Sequence, residues 1–177
     1  MLGTRTLALA LAAALAVAAA LEAKGAPLTP ARGKTRAADF TLKEVSGGAI
    51  RLSDFRGKVT LLNFWATWCP TCRAELTDLE RLGARYRAKG FEIVTVALDA
   101  APPANVAAFL KDRGVTLRTL SDADGVASSL YGVPGVPYTL LLDARGYIAY
   151  RVAGGHDWNG ADTAAAIESL LSKTDAQ

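Results

Sequence analysis

Two cysteines three positions apart carry the strongest chemical signal in this sequence. Cys69 and Cys72 follow a nearly continuous apolar run at Val59–Trp65, which is typical of a strand buried on both faces. A helix should begin at Pro70, because proline suits the first helical position, where its missing N–H would be unpaired anyway. Cys69 would then lie at the positive end of the helix dipole, which favours the nucleophilic thiolate. Cys72, one turn further on, could attack a mixed disulfide formed at Cys69 and release a reduced substrate.

The residues alone leave other chemistry open for this cysteine pair. A structural zinc site needs four ligands, and the chain adds a single histidine, His156, to its two cysteines. A copper site would need further soft or imidazole ligands nearby. An inert structural disulfide would close a loop of about four residues, which the chain-entropy model values at roughly 2 kcal/mol. A domain of this size does not need that bridge, so we predict a redox pair with no metal and no other cofactor.

The elements that must position the cysteines alternate along the chain. Apolar residues at spacings of three and four predict a helix after Cys69 that ends at Gly90. We expect a hairpin over 39–43 and 49–52, strands over 59–65, 91–98, 116–120, 138–143 and 147–153, and helices over 105–113, 125–131 and 161–172. This order predicts an α/β fold in which a central mixed β-sheet, preceded by an N-terminal β-hairpin, carries helices on both faces.

The N-terminal residues differ in composition from the rest of the chain. Arg5 precedes an uncharged, mostly Ala/Leu run from Leu7 to Leu21, and Ala18 to Ala20 offer a small-x-small cleavage pattern. The run is shorter than the roughly 20 residues of a spanning helix. Residues 1–23 are therefore predicted to be a signal peptide or, alternatively, a membrane anchor, which places the domain in the periplasm or another extracytoplasmic compartment. We predict a linker over 24–37, the globular domain over 38–173 and a tail over 174–177.

The overall charge gives little support to a nucleic-acid partner. The 177 residues are 51% hydrophobic and 21% charged, and the formal net charge is +3. Charges of both signs are interspersed, and no basic stripe with interleaved aromatic residues occurs in the sequence. We therefore predict no nucleic-acid binding.

Four segments of the domain together resemble one protein family. The run from Asn63 to Glu75, NFWATWCPTCRAE, is similar to the active site of the TlpA/ResA/CcmG-like thioredoxins, which are exported thiol–disulfide oxidoreductases. The segments 39–42 (DFTL), 52–58 (LSDFRGK) and 135–139 (GVPYT) fit the same family. The resemblance implies a thioredoxin-like fold for the whole globular domain.

The resemblance also implies a substrate-binding surface beside the cysteines. Pro137 would be a cis-proline packed opposite the pair, and it would hold the Val136 backbone where an extended substrate segment could pair with it. Trp68 and Pro70, on either side of Cys69, are the other expected substrate contacts. Without the resemblance, Pro137 would be interpreted as an ordinary loop proline, since only about 5–6% of X–Pro bonds are cis.

Glu75 is predicted to handle a proton. It lies three residues after Cys72 and therefore shares its helix face. A carboxyl desolvated on that face would have a raised pKa and could exchange a proton with Cys72. Ordinary thioredoxins place a buried carboxylate on the preceding strand, where this chain has Asn63. The alternative is a solvated helix glutamate. His156, in a Gly-rich segment, is expected in an exposed loop without a catalytic role.

The predicted function is reduction of disulfides in exported proteins, such as those of cytochrome c or copper-site assembly. The resemblance implies that a membrane thiol protein donates the electrons. Tyr138 departs from CcmG-like proteins, which typically carry Glu there. Two alternatives remain. One is a peroxiredoxin-like peroxidase, although Ala66 occupies the position of the threonine that those enzymes carry. The other is a non-catalytic metal-binding or chaperone module.

Overall fold

An eight-stranded mixed β-sheet forms the centre of this computed structural model, which describes residues 25–174. Its strands are β1 (Thr29–Pro30), β2 (Thr41–Glu44), β3 (Ala49–Arg51), β4 (Val59–Trp65), β5 (Phe91–Ala97), β6 (Arg118–Ser121), β7 (Tyr138–Leu142) and β8 (Ile148–Ala153). The α-helices are α1 (Pro70–Tyr86), α2 (Pro103–Asp112), α3 (Val126–Leu130) and α4 (Ala161–Thr174), with short 3-10 turns at Leu52–Phe55 and Arg87–Lys89. The strand order is β1-β8-β7-β4-β5-β6-β2-β3.

Strand β4 lies at the middle of the sheet and is buried along its whole length. It pairs in parallel with β5 and antiparallel with β7. Alternate residues of β4 belong to separate core clusters: Leu61 and Trp65 pack with α1, α2 and α4, whereas Leu62 and Phe64 pack with α3 and the hairpin region. Both faces of the strand are therefore covered by apolar side chains, which explains its continuous apolar sequence and confirms the predicted architecture.

The predicted elements form at the predicted places, with small shifts of their ends. Two strand starts shift by two residues: β2, expected from Asp39, begins at Thr41, and β6, expected from Thr116, begins at Arg118. The Thr116 backbone N–H instead donates to the Glu80 carboxylate at 2.9 Å, so this donor points to α1 and not to a neighbouring strand. The start of β6 thus depends on a contact with α1, which is distant in sequence, and local sequence patterns could not predict it.

Residues 25–37 are packed against the sheet, in contrast to the linker that the composition suggested. Strand β1 pairs antiparallel with β8, with Thr29 opposite Arg151. Isolated bridges join Gly25 to His156 and Arg36 to Tyr147. Prolines are tolerated in such an edge position, because the strand need not donate on its outer side. The segment therefore belongs structurally to the domain.

The predicted signal peptide or membrane anchor over 1–23 lies outside the described residues, as do residues 175–177 of the predicted tail. Within 25–174, none of the helices is both long enough and apolar enough to cross a membrane.

Candidate active site

The cysteine pair lies where strand β4 gives way to helix α1. Cys69 is the N-cap residue of α1, and Pro70 occupies the first helical turn, as the sequence predicted. The two sulfurs are joined in a disulfide, and the Cys72 backbone N–H donates to Cys69 Sγ at 3.1 Å. Cys69 is 5% exposed and Cys72 is 2% exposed. Cys69 is thus the more exposed of the two residues, and a backbone donor of the helix points at its sulfur, which favours negative charge there in the reduced state.

A cis-proline turn lies against the pair. The Val136–Pro137 peptide bond is cis, as the family resemblance implied. The Val136 carbonyl oxygen lies 3.8 Å from Cys69 Sγ. The Pro137 carbonyl accepts a hydrogen bond of 2.9 Å from the Gly154 N–H, which fixes the turn to the end of β8. A shallow surface depression is lined by this turn, which includes Val136, and by the β8 end, at Pro134, Gly135, Val136, Pro137, Ala153 and Gly154.

The two tryptophans of the motif have different surroundings. Trp68, next to Cys69, is 66% exposed. An apolar ring with that exposure beside a reactive sulfur is available to contact a partner protein. Trp65 is fully buried in the core, where its ring packs against Phe109. Trp68, an expected substrate contact, is thus exposed, whereas Trp65 is a core residue of β4.

An aspartate that the sequence analysis missed anchors the loop before Cys69. Asp99 lies two positions after the last residue of β5 and is buried. Its carboxylate accepts the Thr67 backbone N–H at 3.1 Å and also the Thr67 hydroxyl. Parallel strands end at the same sheet edge, so β4 and β5 bring these residues together. The sequence feature that could have predicted this contact is an acidic residue just after β5, the strand that pairs in parallel with β4.

Glu75 lies on α1, one turn after Cys72, and is buried, at 6% exposure. Its Oε1 accepts two hydrogen bonds, one of 2.6 Å from the His156 backbone N–H and one of 3.1 Å from Trp158 Nε1. Burial raises the pKa of Glu75 from 4.5 to about 7; the two hydrogen bonds oppose the rise, and the Asp78 charge adds to it. The carboxyl is therefore neither a solvated helix glutamate nor a permanently charged group at neutral pH.

His156 corrects the expectation of an exposed loop residue. It is 8% exposed, and both ring nitrogens have partners: Nδ1 lies 2.7 Å from the Ala26 carbonyl oxygen and Nε2 lies 2.8 Å from Thr163 Oγ1. Its neighbour Trp158 is also buried, and the two rings meet edge to face. The glycines around them suggested a solvated loop, but residues 25–26 cover it from a distant part of the sequence.

Position 63 provides no ionisable group, as its residue type implied. Asn63 is buried on β4 and donates through Nδ2 to Thr139 Oγ1 at 2.9 Å. On the same neighbouring strand, Tyr138 is buried and its hydroxyl accepts from Arg151 Nη1 at 3.3 Å. Glu75 is thus the carboxyl that α1 itself brings next to the pair.

The chain is similar in sequence to known thiol–disulfide oxidoreductases. The AhpC/TSA family model matches residues 34–151. The thiol-disulfide oxidoreductase ResA of Oceanobacillus iheyensis is 38% identical over 122 residues, which cover 67% of this chain and 63% of that protein. ResA of Geobacillus thermodenitrificans is 36% identical over 67% of each chain. The match thus spans about two thirds of the length of these relatives.

The chain is also similar in fold to solved structures of thiol–disulfide oxidoreductases. A Chlorobium tepidum protein assigned as the thiol:disulfide interchange protein DsbE has a TM-score of 0.73 at 32% identity, over 79% of this chain and 98% of its own. A secreted Mycobacterium tuberculosis disulfide oxidoreductase has a TM-score of 0.64 at 26% identity, over 74% of this chain and 96% of its own. These similarities confirm the thioredoxin-like fold and the predicted resemblance to ResA-like and CcmG-like proteins. The chain belongs to the AhpC/TSA family, and it is similar in sequence and fold to known thiol–disulfide oxidoreductases.

Proposed function

We propose that this protein is a thiol–disulfide oxidoreductase that reduces disulfides in exported proteins. The observation that carries the proposal is the Cys69–Cys72 disulfide at the start of α1, with the Val136 carbonyl 3.8 Å from the outer sulfur. A structural disulfide would not need its more exposed cysteine to lie against the cis-proline turn and next to an exposed Trp68. The arrangement fits a pair that opens, attacks a partner and closes again.

The first step starts from the reduced pair. The Cys69 thiolate attacks one sulfur of a substrate disulfide, so that a Cys69–substrate S–S bond forms while the substrate S–S bond breaks. The departing substrate sulfur leaves as a thiolate and takes up a proton. The N-terminus of α1 and the Cys72 N–H, 3.1 Å from Cys69 Sγ, stabilise the attacking charge.

The second step releases the substrate. The Cys72 thiol transfers its proton to the Glu75 carboxylate and attacks Cys69 Sγ, which forms the intramolecular disulfide and expels the second substrate thiolate. A base with a pKa of about 7 is present in both protonation states near neutral pH, so it can accept the proton and later return it. Two electrons have moved from the cysteine pair to the substrate, and a dithiol protein must return them.

The substrate would bind as an extended segment across the cis-proline turn. Val136 supplies backbone groups next to Cys69, and Pro137 keeps that backbone turned toward the sulfur. Trp68 and Pro70 border the other side of the sulfur, and both are exposed. Pairing through backbone groups demands little of the substrate sequence, which suits proteins that differ except for their disulfide.

The apolar N-terminal run and the relatives support the proposed compartment and partners. An exported location, where protein disulfides persist, gives a disulfide reductase its substrates. Within that location we place the assembly of cytochrome c or of copper sites as the processes served, with a membrane thiol protein as electron donor. The N-terminal segment would be the signal or the anchor that puts the domain there.

Reduction of insulin by the purified domain tests the proposal. With dithiothreitol as electron source, the wild-type protein should accelerate precipitation of the insulin B chain, and C69S should be inactive. Metal content measured on the same preparation tests the binding-module alternative. Bound metal without reductase activity would contradict the proposed function.

Peroxide reduction is the second candidate, because the matching family model is that of AhpC/TSA proteins. Against it, position 66 is a fully buried alanine and offers no hydroxyl to a peroxide. Consumption of hydrogen peroxide by the reduced protein separates the two activities. We expect a rate no higher than that of a free dithiol, whereas rapid turnover would favour the peroxidase.

A further inference from the structure

The two oxygens of the Glu75 carboxyl have unequal surroundings. Oε1 accepts both the His156 backbone N–H and the Trp158 indole N–H. Oε2 is buried and has no hydrogen-bond partner among residues 25–174. A buried polar atom left unpaired costs free energy, and such atoms are uncommon in folded proteins. The unpaired Oε2 therefore requires a physical explanation.

We propose that His156 and Trp158 form a carboxyl clamp, a pair of positioning residues that fixes Glu75 Oε1 and leaves Oε2 as the atom that takes and releases the proton. Two N–H donors already point at Oε1, so a proton placed there would face two other hydrogens. A proton on Oε2 meets no such conflict. The inference rests on the proposed proton transfer between Cys72 and Glu75 and adds the atom and the residues that direct it.

The carboxyl clamp is itself held from two sides. The His156 ring bonds to the Ala26 carbonyl oxygen and to Thr163 Oγ1, at the start of α4. The Ala26 N–H donates to the carbonyl of Gly155, the residue before His156, at 2.5 Å. The N-terminal segment and α4 thus keep the His156 backbone N–H aimed at Glu75.

The loop over 155–158 that carries the carboxyl clamp, here called the clamp loop, also touches the cysteine motif directly. A Cβ built on Gly155 would lie 2.6 Å from the Thr71 methyl group and 3.7 Å from Glu75 Oε1. The loop can approach this closely because position 155 has no side chain. Thr71 lies between the two cysteines in sequence, so the loop contacts both the motif and its carboxyl.

Several ionisable groups surround the carboxyl and must be considered in any titration. Asp78 lies one turn further along α1, and His156 and Asp157 belong to the clamp loop; all three line the same surface depression as Glu75. Cys72 is one turn earlier and does not titrate while it is disulfide-bonded. The oxidised protein therefore isolates Glu75 from the thiols.

Nuclear magnetic resonance of the oxidised wild-type protein gives the first test. We expect the Glu75 side-chain carboxyl 13C signal, the Trp158 indole N–H and the His156 amide N–H to titrate with one shared midpoint near neutral pH. The Trp65 indole N–H, which is buried without a partner among the described residues, is the internal control and should not follow that midpoint. If the chemical shifts of the Trp158 indole N–H and the His156 amide N–H do not change with the Glu75 titration, the proposed carboxyl clamp is wrong.

The variant W158F gives the second test, with W65F as its matched control. Both changes replace a buried indole by phenyl, but only W158F removes a donor from Glu75. Loss of one hydrogen bond to the carboxylate should raise the Glu75 midpoint by about one pH unit. W65F should leave the midpoint within a few tenths of the wild-type value. An unmoved midpoint in folded W158F, or an equal shift in W65F, would overturn the proposal.

The two proposals can fail independently. If E75Q exchanges disulfides with the wild-type pH profile, Glu75 is not the proton acceptor, and the proposed mechanism fails whatever the magnetic resonance shows. If E75Q changes that profile while the oxidised W158F protein titrates like the wild type, the proton transfer stands and the clamp is wrong. Should W158F not fold, the titration of the wild-type protein still decides the question.

Discussion

At the scale of single residues, the proposed mechanism depends on where the Glu75 carboxyl lies. Glu75 could be expected near Cys72 from a spacing of three on one helix. The sequence could not identify its hydrogen-bond donors, because His156 and Trp158 are more than eighty positions away and follow another strand. A glycine-rich segment usually indicates a solvated loop, and here the covering residues come from the opposite end of the domain. Local pattern predicted the reactive group, and only tertiary structure supplied its environment.

The raised pKa of Glu75 predicts how stability depends on pH. The folded-state pKa, about 7, lies above the ordinary value of 4.5. The protonated carboxyl therefore contributes its full stability below about pH 4.5, and the contribution is lost as the pH rises through 7. In the oxidised protein the loss should approach about 3 kcal/mol at pH 8. Urea unfolding of oxidised wild-type protein at pH 5, 6, 7 and 8 measures it.

E75Q is the control for this pH dependence, because glutamine keeps the size and polarity of the side chain without the ionisation. The difference in unfolding free energy between wild type and E75Q should vary with pH as described. A difference that stays constant from pH 5 to 8 would show that the Glu75 pKa is not raised by folding.

At the scale of elements, the strongest periodic patterns placed β4, α1 and β5 correctly. Strand β4 is apolar on both faces and α1 has apolar residues at helical spacing, so each pattern has one physical interpretation. The stretch over 25–37 lacks any such pattern. Its composition therefore predicts a linker, although β1 completes the sheet through backbone pairing with β8. Backbone pairing at an edge leaves little trace in side-chain types, which is why the sequence missed it.

The loop between β4 and α1 depends on Asp99, so D99N should weaken it. The Thr67 N–H and hydroxyl both donate to this buried carboxylate. A charged acceptor contributes more than a neutral amide, and D99N should lower the free energy of unfolding by about 1–3 kcal/mol. It should also increase hydrogen exchange at the Thr67 amide.

Glu80 offers a matched comparison, because it accepts the Thr116 N–H and hydroxyl in the same manner at a more exposed place. E80Q should cost less than D99N, since water can replace part of the lost interaction. Equal losses in the two variants would contradict the importance assigned to burial at Asp99.

At the scale of the whole molecule, the N-terminal segment connects to the active site through its first described residues. Gly25 has a φ of +66°, and a Cβ there would lie 2.5 Å from the Gly155 carbonyl oxygen. G25A should therefore combine backbone strain with a clash that pushes the segment off the clamp loop. We expect destabilisation by about 1–3 kcal/mol and faster amide exchange at His156.

G33A is the control for this substitution. Gly33 has a φ of +71°, so the backbone strain is similar, but apart from its chain neighbours no residue within 25–174 lies within 4 Å of the position that a Cβ would take. Its stability loss should be smaller than that of G25A, and exchange at His156 should not change. If both variants loosen His156 alike, the docking of the segment is not what holds the loop.

The proposed activity of the whole molecule rests on Cys69 as the attacking sulfur. The direct measurement is mass spectrometry of reduced C72S and C69S after each is mixed with a disulfide-bonded peptide. C72S should accumulate a mixed disulfide with the peptide at Cys69, because the resolving thiol is absent, while C69S should form little. If C72S forms no adduct, or if C69S forms one faster, Cys69 is not the attacking sulfur and the proposed activity is contradicted.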